Sequence, residues 1–137
     1  MALDVGEKRI GVAVSDPLRL TARPLTTLTC TRDRSEFLKL AELLSVWGIV
    51  RLIVGYPRRL TGEKSTSTRL VEDFTAALRE LSDIPIEWAD ERLSSKEAER
   101  RMADVGLPLA QRRLRRDEFA AALILEWYLE ENSGNES

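Results

Sequence analysis

Residues 3–16 read LDVGEKRIGVAVSD, and this stretch decides the fold. It predicts two short strands joined by a tight turn, because residues 10–14 are apolar and rich in β-branched side chains. Gly6 and Gly11 permit close backbone approach or a positive φ at the turn and the strand start. Asp4 is the exception, because a carboxylate inside an apolar run needs a partner. That partner is either a cation or the amides of the following turn, and this stretch alone leaves both open.

The composition narrows the possible chemistry. The chain has 137 residues, 43% of them hydrophobic, as expected for one globular domain with its own core. It contains no histidine, which excludes Ser-His-Asp and Cys-His catalysis and zinc hydrolases built on His ligands. The single cysteine, Cys30, excludes an internal disulfide and a cysteine zinc cluster. Hydrolysis would therefore have to use carboxylates with a hard metal ion.

The net charge and the hydropathy predict the protein's binding partners and its location in the cell. The net charge is −2, so nucleic-acid binding would depend on local arginine clusters. No apolar run approaches the length of a membrane span, and the start has no signal-peptide pattern. Together with the single cysteine, these features predict a cytoplasmic protein with no membrane partner.

The periodicity along the chain predicts the element order β-β-β-α-β-α-β-α-α. After the strand that contains Asp4, the predicted strands cover residues 10–14, 24–29, 50–54 and 85–89. The predicted helices cover residues 35–46, 71–81, 94–105 and 109–130. This order implies an α/β fold with a mixed five-stranded sheet, a β-meander plus parallel strands, flanked by helices.

Carboxylates follow two of the predicted strands, at the sheet edge where α/β proteins form their sites. Asp4 ends the first strand, Asp90 and Glu91 end the last, and we expect these two strands to be neighbours. Asp117 lies in the final helix, with apolar residues at i+4, i+7 and i+11, on the face that should pack against the sheet. Converging carboxylates repel one another, and one or two Mg²⁺ or Mn²⁺ ions would relieve the repulsion and activate water for phosphodiester hydrolysis.

Each acid also has an ordinary structural explanation. Asp117 could be a solvated helix residue beside Arg113 or Arg116. Glu91 could pair with Arg92, and Asp90 could be a turn residue. These acids are all predicted to lie at one sheet edge or on the helix face that packs against the sheet, and this combination favours the metal site.

Basic residues near the predicted edge would serve contacts with phosphates. They are Lys8, Arg9, Arg58, Arg59, Arg92, Arg112, Arg113, Arg115 and Arg116. Arg100 and Arg101, in contrast, are interpreted as solvated helix charges. Trp47, Trp88 and Trp127 lie in or beside apolar runs, so they are interpreted as core or dimer contacts rather than base-stacking platforms.

Four motifs, in this order, resemble the YqgF (RuvX) family, the Holliday-junction-resolvase-like proteins of bacteria. They are residues 3–16, IVGYP at 53–57 with Gly62, DERLSS at 90–95 with Ala98 and Glu99, and Asp117 with AAALIL at 120–125. The resemblance spans nearly the whole chain. It implies an RNase H-like fold and a metal-dependent nuclease, with one nuclease domain over residues 1–131 and a polar tail over 132–137.

The resemblance also assigns roles. By motif match Asp4, Glu91 and Asp117 are the catalytic acids and the ligands of Mg²⁺ or Mn²⁺. Asp90 is the weaker candidate, because neighbours on an extended strand point to opposite faces. The implied role is maturation of the 5′ end of the small-subunit (pre-16S) rRNA precursor, with resolution of Holliday junctions in branched DNA as the alternative. The expected partner is nucleic acid, RNA before branched DNA, and the protein is expected to be a monomer or a homodimer.

The chain departs from the family pattern at two places. Only three residues precede Asp4, whereas a family member usually has a longer first strand, and this departure bears on the stability of the strand rather than on the identity of Asp4. Glu118 follows Asp117 and adds a further carboxylate.

Two other functions compete with the nuclease. An actin-like ATPase or sugar kinase also grips phosphates with an Asp-x-Gly hairpin, but it needs two such domains. A non-catalytic nucleic-acid or ribosome-associated binding module would gain nothing from three acids facing phosphates.

Overall fold

The computed structural model describes residues 1–57, 66–91 and 94–132, without the side chains of Thr66, Glu91, Ser94 and Ser95. The strands are β1 (Ala2–Val5), β2 (Arg9–Ser15), β3 (Ala22–Thr29), β4 (Leu52–Pro57) and β5 (Ile86–Glu91). The helices are α1 (Ser35–Val46), α2 (Thr66–Leu81), α3 (Ser94–Asp104) and α4 (Leu109–Asn132). The predicted α/β class and element order are confirmed.

The strands form one mixed sheet in the order β3-β2-β1-β4-β5. β1, β2 and β3 are an antiparallel meander, whereas β4 pairs in parallel with both β1 and β5. The expectation that the first and last strands are neighbours is wrong, since β4 lies between them. The reason is that β2 already occupies one edge of β1, so the crossover through α1 brings β4 to the other edge.

The two faces of the sheet carry side chains of different size. On one face, the α1–α2 face, large residues such as Leu3, Ile10 and Val54 pack against Phe37 and Leu40. On the other face, the α4 face, small residues lie under the long C-terminal helix. The buried members of this second cluster are Ala2, Ala13, Ile53, Ala121, Ala122, Ile124 and Leu125. Small side chains let α4 lie close to the strands, and this closeness positions the site described next.

β1 is four residues long, and it is the central strand, paired on both sides. Ala2 and Leu3 are fully buried. None of the helices in the described ranges has the length and apolar character needed to cross a membrane.

Candidate functional site

Asp4 lies on the α4 face, near the carboxyl end of β1. It is paired with Gly11 of β2, and residues directly opposite each other in an antiparallel pair share a face. Ala2, two residues earlier in the strand, packs in the α4 cluster, which gives the same assignment. Asp4 is half-buried. The central strand thus presents one carboxylate toward α4.

Gly11 brings the backbone of α4 directly onto the sheet. A Cβ at this position would lie 1.9 Å from the carbonyl oxygen of Asp117 and 2.8 Å from the backbone nitrogen of Glu118. No side chain fits in that space. Since Gly11 is also the cross-strand partner of Asp4, the contact sets Asp117 beside the position of Asp4. A glycine inside an apolar strand signals such an approach, although the sequence does not say which segment approaches.

The carboxylate of Asp117 is paired with an arginine from the β-hairpin. Arg9 donates from Nε to Oδ2 of Asp117 at 2.9 Å. The Arg9 side chain is 53% exposed and that of Asp117 is 26% exposed. Neither arginine foreseen beside Asp117 pairs with it in the described ranges. Arg113 is exposed and forms no ion pair there, and Arg116 pairs with Glu99. Arg9, predicted to contact nucleic acid, therefore forms an ion pair with Asp117, a predicted metal ligand.

Glu91 is the last residue of β5, in register with Pro57 of β4. Position 91 continues the alternate series of Glu87, which accepts a hydrogen bond from the Tyr128 hydroxyl of α4, and Ala89, which packs in the α4 cluster. The Glu91 side chain lies outside the described part of the structure. Asp90 is exposed and in register with Tyr56, whose side chain packs on the α1–α2 face.

Three arginines of the run before Asp117 bind to other groups of the same chain. The Nε of Arg112 donates to the Leu107 carbonyl at 2.8 Å. The Arg115 guanidinium lies 2.6 Å from Glu118, and that of Arg116 lies 2.6 Å from Glu99 of α3.

Among the other predicted nucleic-acid contacts, Lys8 and Arg113 are exposed. Arg58, Arg59 and Arg92 lie outside the described residues. Arg101, interpreted as a solvated helix charge, makes a two-bond contact with Glu126, at 3.0 and 2.7 Å.

Two of the tryptophans are surface residues. Trp127 packs against a small buried cluster formed by α3 and α4, as expected of a core contact. Trp47 and Trp88 are 39% and 45% exposed. Trp88 donates from Nε1 to the Thr75 hydroxyl at 2.9 Å and contacts the ring of Tyr56.

Glu118, the extra carboxylate, forms an ion pair with one arginine of the run before Asp117. Its side chain is 7% exposed and bonded to Arg115. We expect Arg115→Met to lower the free energy of unfolding by about 1–3 kcal/mol, because it leaves a buried carboxylate without its cation. Arg113→Met, one helical turn from Asp117 and exposed, should change it by less than about 0.5 kcal/mol. Urea denaturation measures both. Adding Glu118→Gln to Arg115→Met should recover part of the loss, and equal values for the two arginine variants would contradict this role for Arg115.

The donor set at the site fits a hard divalent cation. Within the described side chains no three His, Cys, Asp or Glu residues form a metal-binding group, and the Glu91 side chain is not among them. Asp4 and Asp117 supply carboxylate oxygens, the ligands that Mg²⁺ and Mn²⁺ prefer. The guanidinium on Asp117 shows that this place accommodates a positive charge.

Comparison with known proteins agrees with this arrangement. The family model for RuvX, described as Holliday junction resolvase, matches residues 1–131. A protein of Roseiflexus sp. (strain RS-1) named "Putative pre-16S rRNA nuclease" is 44% identical over 130 residues, which cover 95% of this chain and 92% of that protein. A protein of Symbiobacterium thermophilum with the same name is 41% identical over 128 residues, covering 93% and 89%.

Two solved structures share the fold. RuvC of T. thermophilus in complex with a Holliday junction substrate superposes with a TM-score of 0.54 at 16% identity, covering 96% of this chain and 93% of that one. The Fowlpox virus resolvase in complex with Holliday junction DNA gives 0.53 at 12% identity, covering 94% and 95%. These likenesses confirm the predicted RNase H-like fold. With the family match and the curated relatives they also confirm the resemblance seen in the motifs: the chain belongs to the RuvX family of resolvase-like nucleases.

Proposed function

We propose that this nuclease cleaves RNA with a divalent metal ion, in 5′-end processing of the pre-16S rRNA precursor. The observation that carries the proposal is the contact of Gly11 with the backbone of Asp117. It sets the backbone of Asp117, in a distant helix, against the cross-strand partner of Asp4 on the α4 face. This supports a site in which the two carboxylates share a bound cation, because like charges that lie close together favour one.

Asp4, Glu91 and Asp117 are the proposed ligands and catalytic acids, with Mg²⁺ or Mn²⁺ as the metal. The bound metal would lower the pKa of a water molecule and stabilise charge on the leaving oxygen. β1 fixes Asp4 in the centre of the sheet, and α4 fixes Asp117 against it. Position 91 ends β5, two strands from β1 and two residues beyond the level of Asp4 in the sheet, so its backbone lies about 12 Å from that of Asp4. A longer glutamate suits this outer position.

The chain's cations would hold the substrate by its phosphates. Lys8 and Arg9 lie at the β1–β2 turn, and Arg113 lies one helical turn before Asp117; all three are exposed. Arg58, Arg59 and Arg92 follow β4 and β5 in the sequence and are proposed to extend this surface. Contacts of this kind position a backbone without reading bases.

RNA is the favoured substrate because the curated relatives at 41% and 44% identity are named for pre-16S rRNA. Branched DNA is the second candidate. It is favoured by the family's description and by the junction complexes of the two structural neighbours. We place the activity in a single nuclease domain over residues 1–131, in the cytoplasm, acting as a monomer or a homodimer.

Parallel cleavage assays test the proposal. A single-stranded RNA with the 5′ extension of the precursor and a four-way DNA junction are each incubated in Mg²⁺, in Mn²⁺ and in EDTA, with Asp4→Asn as the inactive control. We expect metal-dependent RNA cleavage that disappears in Asp4→Asn. Symmetric junction cleavage without RNA cleavage would transfer the assignment to junction resolution. RNA binding of equal affinity in EDTA, with no cleavage of either substrate, would contradict catalysis and favour a binding module.

A further inference from the structure

Arg9 and Asp117 form an ion pair at the centre of the proposed metal site. We propose that Arg9 is an exchangeable counter-ion: it neutralises Asp117 while no metal is bound, and it yields to the metal and turns to a phosphate of the substrate. Arg9 is thus a positioning residue that couples metal binding to substrate binding. The inference rests on the proposed function, because it takes Asp117 as a metal ligand.

The geometry of the pair is that of a weak, replaceable contact. Only Nε of Arg9 bonds to Asp117, at 2.9 Å, and the Arg9 side chain makes no other hydrogen bond or ion pair within residues 1–57, 66–91 and 94–132. Arg101 offers the contrast, since both of its terminal nitrogens bond to Glu126. Two parallel bonds are the strong form of a guanidinium–carboxylate pair. A half-exposed single contact shifts an equilibrium by at most about fivefold.

The pair is not needed to hold α4 in place. The helix is already seated by the backbone contact at Gly11 and by the buried Ala121 and Ile124. The charge of Arg9 therefore acts on Asp117 itself. It offsets repulsion between Asp117 and Asp4, which Gly11 brings together.

A divalent cation on Asp117 would repel the guanidinium beside it. The Arg9 side chain is 53% exposed and begins at the edge of the hairpin turn that holds Lys8, so it has room to turn outward. There it would join Lys8 as a phosphate contact. Nucleic-acid binding by Arg9 is then available only after metal has displaced it.

Metal affinity gives the first test. Mn²⁺ binding is measured by isothermal titration calorimetry for the wild type, Arg9→Gln and Lys8→Gln; the two variants remove the same charge from adjacent residues. We expect Arg9→Gln to bind Mn²⁺ about two- to fivefold more tightly, because its competing cation is gone. Lys8→Gln should differ from the wild type by less than about twofold. Weaker Mn²⁺ binding by Arg9→Gln would overturn the proposal and make Arg9 a fixed support of the ligand.

RNA affinity as a function of salt gives the second test. A single-stranded RNA is titrated at several salt concentrations, in EDTA and in Ca²⁺, with the intact chain. In Ca²⁺ the slope of log K against log salt should be shallower for Arg9→Gln, by the amount that corresponds to about one phosphate contact. In EDTA the slope for this variant should match that of the wild type. Lys8→Gln should lower the slope in both conditions. An equal reduction of the slope for Arg9→Gln in Ca²⁺ and in EDTA would overturn the proposal that Arg9 exchanges between Asp117 and the substrate.

A further control separates this inference from the proposed function. Asp117→Asn should abolish the calorimetric Mn²⁺ signal. If it leaves Mn²⁺ binding unchanged, the metal site itself is misplaced and both proposals fall. If it abolishes binding while Arg9→Gln has no effect on affinity or slope, only the exchange is wrong.

Discussion

Gly11→Ala should damage both the stability and the activity of this nuclease. The added Cβ would lie 1.9 Å from the carbonyl oxygen of Asp117, far inside van der Waals contact, and the obstructing atoms belong to the helix backbone. α4 would have to move away from β2 at the residue that carries the proposed ligand. We expect a loss of about 1–3 kcal/mol in the free energy of unfolding, as for other overpacked sites. Cleavage should fall about 100-fold, because a displacement near 1 Å costs that much in positioned catalysis.

A second glycine of the same face provides the matched control. A Cβ on Gly55 would lie 2.6 Å from Cδ1 of Ile124, the far end of a flexible side chain. Gly55→Ala should therefore be milder, and Ile124→Val should relieve it. No side-chain truncation on α4 should relieve Gly11→Ala, since the clash there is with backbone. Urea denaturation and the cleavage assay measure both series, and a stable, active Gly11→Ala protein would show that α4 does not rest on Gly11.

Asp4→Asn and Asp117→Asn should each lower cleavage by about a thousandfold or more. A lost metal ligand removes several kcal/mol of transition-state stabilisation, and each 1.4 kcal/mol is a factor of ten in rate. The free energy of unfolding should change by less than about 1 kcal/mol, because each variant keeps the shape of the side chain and the Arg9–Asp117 pair that Asp117→Asn removes is half-exposed. Single-turnover cleavage in Mn²⁺ and urea denaturation separate these effects.

Asp90→Asn is the control for this pair of variants. Asp90 is exposed, adjacent to Glu91, and in register with a residue whose side chain packs on the opposite face of the sheet. It should keep wild-type cleavage. Equal damage from Asp90→Asn and Asp4→Asn would contradict the assignment of the site to the α4 face.

The sequence by itself determined the elements and their order. Apolar residues at helical spacing predict a helix over residues 35–46, and the structure has α1 at Ser35–Val46. The apolar residues at i+4, i+7 and i+11 after Asp117 correctly predict which face of α4 packs on the sheet. These are local properties, because a residue's spacing to its near neighbours in the chain decides whether one face can be buried. The RNase H-like fold and the choice of Asp4, Glu91 and Asp117 came from the family motifs, which periodicity does not supply.

Only the tertiary structure decided how those elements meet. It placed β4 between β1 and β5, brought the backbone of α4 onto Gly11, and paired Arg9 with Asp117 across 108 positions of sequence. It also paired Arg115 with Glu118 and Arg116 with Glu99. An arginine near an acid in the sequence has several possible partners, and the one it meets depends on how distant segments pack. Periodicity reports which face of a segment is buried, but not which segment covers it.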